Sequence, residues 1–158
     1  MKFNINQNDL QQSLGYCQGV IEKRSTLPIL SNILLNAIGT KLKIIATDLD
    51  LIFINEIKNV EIFEEGKTTT VSSTLFDIIR KFNSGKKINF NQTSENKIQL
   101  ESEKSIFNLN CLSATEFPVT EESFTANEFS IKAKELLKLL NKCKFSVSND
   151  ETRHYLSG

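Results

Sequence analysis

The residues able to do chemistry are few in this chain, and their spacing narrows what that chemistry would be. Thr47-Asp48-Leu49-Asp50 sets two carboxylates one residue apart. On a strand they would point to one side and could share a hard cation, whereas in a turn between strands Asp48 would cap backbone amides. The single histidine, His154, has no serine or cysteine nucleophile motif around it, so a general base there would have nothing to activate. The six glycines follow neither GxGxxG nor GxxxxGK spacing, which argues against a phosphate-cradling loop. Cys17, Cys111 and Cys143 form no CxxC pair. They support neither a zinc site nor a disulfide framework, and their apolar neighbours suit ordinary buried thiols. Catalysis is not expected, nor any cofactor or metal.

Two segments suit binding better. In Lys23-Arg24-Ser25-Thr26-Leu27-Pro28-Ile29-Leu30 two cations precede a polar stretch that Pro28 stiffens as it re-enters apolar sequence, so the charged tip is a surface loop on a hydrophobic footing, able to meet phosphate. From Asp150 to Gly158, Arg153, His154 and Tyr155 stand beside Leu156; cation, ring and apolar group together can stack on bases or line a peptide pocket. The plainer alternatives are a solvated basic loop and a strand edge.

The elements that would position these residues follow from a repeat. Phe3 and Ile5, then Leu10, Leu14 and Cys17, recur as Phe129 and Ile131, then Leu136, Leu140 and Cys143, every one 126 residues later. Each copy is a short alternating strand followed by apolar residues at helical spacing. The reading is a complete first domain over residues 1–126 and the start of a second, truncated one over 127–158. Within the first, strands are expected at Asn32 to Ile38, Lys41 to Ala46, Leu51 to Ile57, Lys67 to Val71, Lys87 to Asn91, Lys97 to Glu101 and Ser105 to Leu109, with helices at Asn8 to Val20 and Ser73 to Phe82. The second helix has a hydroxyl N-cap to start it and Arg80 and Lys81 near its end. The fold class is α+β: strand, helix, three strands, given twice, each half a helix packed on antiparallel strands.

At 158 residues, 17.9 kDa and 39% hydrophobic composition, the chain can bury a core without staples. Nineteen basic against nineteen acidic residues argue against a nucleic-acid binder that works by bulk basicity. No apolar run reaches the ~18 residues of a membrane span and no signal-peptide core follows Met1, so a cytoplasmic location and no membrane partner are expected.

Met1-Lys2-Phe3, Arg24-Ser25-Thr26-Leu27-Pro28-Ile29-Leu30-Ser31-Asn32, Ala46-Thr47-Asp48-Leu49-Asp50, Phe76-Asp77-Ile78-Ile79-Arg80, Ser113-Ala114-Thr115-Glu116-Phe117-Pro118 and Thr152-Arg153-His154-Tyr155-Leu156-Ser157-Gly158 together resemble, in consistent order, the bacterial sliding clamp family, the beta subunit of DNA polymerase III. The resemblance implies a DNA-clamp fold with three similar domains per chain, each of two pseudo-symmetric halves, which accounts for the repeat. It implies a non-enzymatic processivity factor. Two full-length chains would close head to tail around double-stranded DNA and tether polymerase III subunits, with the clamp loader as a further partner. Topological binding reconciles a DNA partner with neutral charge, and direct contacts would be to phosphates.

Residue by residue, the resemblance puts Arg24 first as a DNA contact, with His154 and Tyr155 where the family usually shows two tyrosines. Ser73 and Asp150 stand where the family has other DNA-contacting types. Tyr155 and Leu156 match the start of the pocket for partner peptides. Ile78, Phe82, Phe107 and Leu109 match apolar ring-interface positions and Lys104 a cationic one; plain core is the alternative for the four apolar residues. A free-standing α+β protein-binding or scaffold module with no DNA role stays open, as does an enzyme using Asp48 and Asp50 with a metal.

Overall fold

The computed structural model describes residues 1–21, 27–118 and 129–148. Its contacts divide the chain into two units, Met1–Thr120 and Glu121–Gly158.

The first unit runs β1 (Lys2–Asn6), α1 (Gln7–Cys17), β2 (Asn32–Ile38), β3 (Lys41–Thr47), β4 (Ile52–Ile57), β5 (Glu61–Glu64), β6 (Gly66–Val71), α2 (Ser72–Ile79), β7 (Lys87–Ser94), β8 (Lys97–Ser102) and β9 (Ser105–Leu112). All nine strands form one antiparallel sheet in the order β4-β3-β2-β6-β9-β8-β7-β1-β5. The two meanders, β2-β3-β4 and β7-β8-β9, are the cores of the two halves. Each half lends its first strand to the other: β1 pairs with β7, and β6 with β2. The halves are thereby interlocked.

Sequence periodicity placed eight of these strands and both helices, with ends shifted by a few residues. It missed β5, so the first half has four strands after its helix rather than three. Glu61-Ile62-Phe63-Glu64 is a short edge strand that among the described residues pairs with β1 alone, and Ile62 but not Phe63 turns partly inward, which leaves no buried alternation to read. The expected hydroxyl cap of α2 is also absent. Val71 occupies the cap position with no side-chain bond, and the buried Ser72 hydroxyl accepts from Gln18 Nε2 at 2.8 Å.

Both helices bury the same spacing, Gln7, Leu10, Leu14 and Cys17 on α1, with Ser72, Leu75 and Ile79 on α2 continuing to Phe82. They lie antiparallel. Gln7 at the start of α1 donates to the Ile79 carbonyl at the end of α2 (2.8 Å), satisfying one of the acceptors a helix terminus leaves open, while Gln18 beyond the other end reaches Ser72. Under them Phe3 and Phe90 stack with centroids 4.6 Å apart amid Ile33, Leu35, Leu42, Ile44, Ile88, Ile98 and Leu100. A smaller apolar cluster of Leu34, Ile45 and Phe117 forms on β2 and β3 under the turn after Ser113.

In the second unit α3 (Ala133–Cys143) is present as expected, but residues 129–132 are not a strand. A strand needs a neighbour to take its hydrogen bonds. Phe129, Leu136, Leu137 and Leu140 remain exposed, and so does Cys143, against the expectation of a buried thiol. Cys17 and Cys111 are buried, and burial pushes the Cys17 thiol up to about 11, which makes it inert.

Candidate nucleic-acid and assembly surfaces

Asp48 is a turn residue. Its Oδ1 accepts from the Leu51 amide at 2.7 Å and the Asp50 amide at 3.1 Å, which steers the chain through Leu49 at φ +86°. Among the described residues no group of three or more histidine, cysteine or acidic side chains comes together to hold a metal, and no helix is long and apolar enough to cross a membrane.

Arg24, Asp150, His154, Tyr155 and Leu156 lie outside the described residues. Ile21, the last described residue before Arg24, is tied to the end of α1 by its amide on the Cys17 carbonyl (3.2 Å). Ser73 is exposed in the first turn of α2. Near the other end of that helix, Arg80 reaches Asp77 at 3.8 Å and lies over the Phe76 ring at 5.5 Å.

A shallow groove runs beside α1, lined by Asn8, Gln11, Gln12, Gly15, Tyr16, Phe76 and Ser84. These α1 positions fall at i, i+3, i+4, i+7 and i+8, one helix face. The groove's lining residues are uncharged, with Tyr16 and Phe76 supplying apolar surface beside the amides. Sequence reading passed over it because amides at such spacing look like a solvated face.

The second surface is a strand edge. β9 pairs with β8 through Ser105 to Asn110, but with β6 only through Thr69–Leu112 and Thr70–Cys111, so Ser105 to Asn110 have no second strand beside them among the described residues. On the core face, Phe107 is half-buried and meets Phe82 edge-on at 5.6 Å, with Ile78 half-buried on the same core. Phe82 and Leu109 are each only 8% exposed, so they back this edge from within the core. Lys104 is exposed in the β8–β9 hairpin beside Glu103, whose carboxyl is held below its ordinary range first by the Lys86 ammonium at 3.1 Å and then by Asn83. Ile106, on the opposite face, is 57% exposed. Its exposure marks it as the apolar residue of this edge best placed to meet another surface. The sequence pattern hid it, because in β9 the inward phase belongs to Phe107 and Leu109.

A sequence model described as DNA polymerase III beta subunit, N-terminal domain, matches residues 1–121. Beta sliding clamps of Caulobacter vibrioides and Escherichia coli are 37% and 30% identical to the chain over its whole length, of which it spans 42% and 43% of theirs. Among solved structures, the Caulobacter crescentus pol III beta aligns over 100% of this chain and 42% of its own at TM-score 0.92 and 37% identity. The beta subunit of Bartonella birtlesii aligns at TM-score 0.94 and 33% identity. The expected clamp fold, α+β with helices on an antiparallel sheet, is thus the fold observed.

Proposed function

The chain belongs to the DNA polymerase III beta subunit family, and from that premise we propose that it serves as part of a non-catalytic sliding clamp. Rings containing this domain encircle double-stranded DNA in the cytoplasm and tether the replicative polymerase and other DNA-processing proteins, with a clamp loader placing them there. The chain spans about two fifths of the length of the curated relatives it matches. The first domain ends near residue 126, and residues from 127 open a second of the same kind. Ring closure is head to tail between two copies of the longer chain.

The observation that carries this reading is the incomplete edge of β9. Six residues of a sheet strand with no second partner are a site where another domain can continue the sheet. Ile106 and Lys104 face that neighbour, with Phe107, Ile78, Phe82 and Leu109 behind them. Arg24 contacts DNA phosphate from the segment after α1. His154 and Tyr155 add contacts, and Tyr155 with Leu156 begins the pocket for partner peptides. Ser73 and Asp150 supply no cation.

The test is primer extension by the replicative polymerase with its loader. Adding rings that contain this domain should lengthen products without raising the number of primers extended; unchanged product length would contradict the proposal. Arg24→Ala should remove about one phosphate contact, lowering the magnitude of the logarithmic salt slope for duplex binding by about 0.9 without altering sequence preference. Isotherms across a salt series read this directly, and identical isotherms at every salt concentration would remove Arg24 from the DNA surface. Tyr155→Ala should instead weaken both DNA binding and binding of a pocket peptide titrated in parallel.

A further inference from the structure

The tip of the β8–β9 hairpin stands clear of its neighbours on both sides. The β7–β8 ladder ends at Asn89–Glu101, and β9 meets β6 only at Cys111 and Leu112, so among the described residues Ser102 to Ser105 have only each other to pair with. Side chains hold the tip instead. The Ser102 hydroxyl donates to the Lys87 carbonyl at 3.0 Å, and the Glu103 carboxylate accepts from Asn83 Nδ2 at 2.6 Å on one oxygen and meets Lys86 Nζ at 3.1 Å on the other. The segment that supplies these partners is itself braced on α1. Asn8 Oδ1 accepts from the Ser84 hydroxyl at 2.8 Å and the Gly85 amide at 3.3 Å, and the Gln7 amide donates to the Lys86 carbonyl at 2.9 Å. Both oxygens of Glu103 are thus spent on a fixed loop.

Glu103 takes the first of the two turn positions at φ +54°, where a two-residue hairpin calls for glycine or asparagine and a longer side chain is uncommon. Stability does not explain its presence, because the two partners of its ion pair are 44% and 55% exposed and such pairs contribute little. What the bonds do is fix a direction. Lys104, the next residue, enters none of the ion pairs among the described residues, since the carboxylate beside it is engaged elsewhere, and Ile106 stands two residues further on. We infer that Glu103 is a positioning residue of the ring seam, its carboxylate pinned by Asn83 and Lys86 so that the hairpin presents Lys104 and the unpaired start of β9 to the neighbouring domain in one arrangement. The inference rests on the clamp reading, which makes the edge of β9 a seam. A tip free to bend would populate that arrangement only part of the time, and the affinity of the ring would fall by the same fraction.

The experiment measures ring dissociation by sedimentation over a concentration series, using rings of the longer chain that contain this domain, with urea unfolding of the same chains alongside. Glu103→Gly suits the backbone at φ +54° and removes the carboxylate, so it separates turn formation from positioning. A residue needed only for the turn would leave the ring as tight as wild type. A positioning residue should raise the dissociation constant about tenfold, as for a tip competent roughly a tenth of the time, with the unfolding midpoint close to that of wild type. Glu103→Lys should weaken the ring at least as much, and adding Lys86→Glu, which reverses the pair, should recover most of the loss. A Glu103→Gly ring as tight as wild type, or a double variant no tighter than Glu103→Lys alone, would overturn the inference while leaving the clamp reading intact. Wild-type rings that fail to lengthen primer-extension products would overturn both.

Discussion

Phe3→Ala is expected to destabilise the first unit by about 4 kcal/mol and to do so in both halves at once. Phe3 is 0% exposed and stacks on Phe90, also 0% exposed. It belongs by sequence to the first half, yet its strand is zipped to β7 of the second, with Phe3 directly opposite Phe90 in the register. The truncation leaves a cavity at the junction, beside Ile5, Ile88 and Leu100, and no neighbouring chain is free to collapse into it. Urea unfolding should show a single transition whose midpoint falls by roughly 2 M, for a slope near 2 kcal/mol/M. A cost below 1 kcal/mol, or two separate transitions in the variant, would mean that the halves are not interlocked through β1.

Ile106→Asp is expected to do the reverse, leaving the unit folded but opening the ring. The side chain is 57% exposed on the face of β9 away from the core, so in the isolated unit the change should stay within about 0.5 kcal/mol. At a closed seam the same carboxylate would be buried without a partner, at roughly 3 kcal/mol or more, which is at least a hundredfold in the dissociation constant of the ring. Sedimentation over a concentration series distinguishes the outcomes. Association as tight as wild type would place the seam away from β9. Phe107→Asp would be a poorer probe, because Phe107 also packs on Phe82 and its loss would damage the core.

The order of elements was legible because most of them bury one face. β2 falls where its apolar run predicts, at Asn32–Ile38, although it is buried on both faces, and both helices show their inward residues at i, i+3 and i+7. Where burial is weak the sequence is silent or misleading. β5 escapes notice with one inward side chain, and Phe129 and Ile131, which alternate as a strand would, are not one without a neighbour to pair with. The exchange of β1 and β6 between the halves is a matter of tertiary pairing, and nothing in either strand's own pattern announces it.

The proposed function was read from six blocks of resemblance and not from chemistry, since no cluster of reactive side chains stands out in the sequence. The surfaces were harder. Ile106 looks unremarkable beside Phe107 and Leu109 until the strand's phase is known.

The central claim is that the protein holds DNA by enclosing it, and retention on circular against linear DNA tests it most directly. Rings containing this domain, loaded on nicked circular duplex and challenged with high salt, should stay bound, because phosphate contacts weaken with salt while a closed ring does not depend on them. Cutting the circle once should release them within the time taken to slide to an end. Equal lifetimes on cut and uncut DNA, or loss from intact circles at the same salt concentration that abolishes ordinary equilibrium binding, would contradict the account.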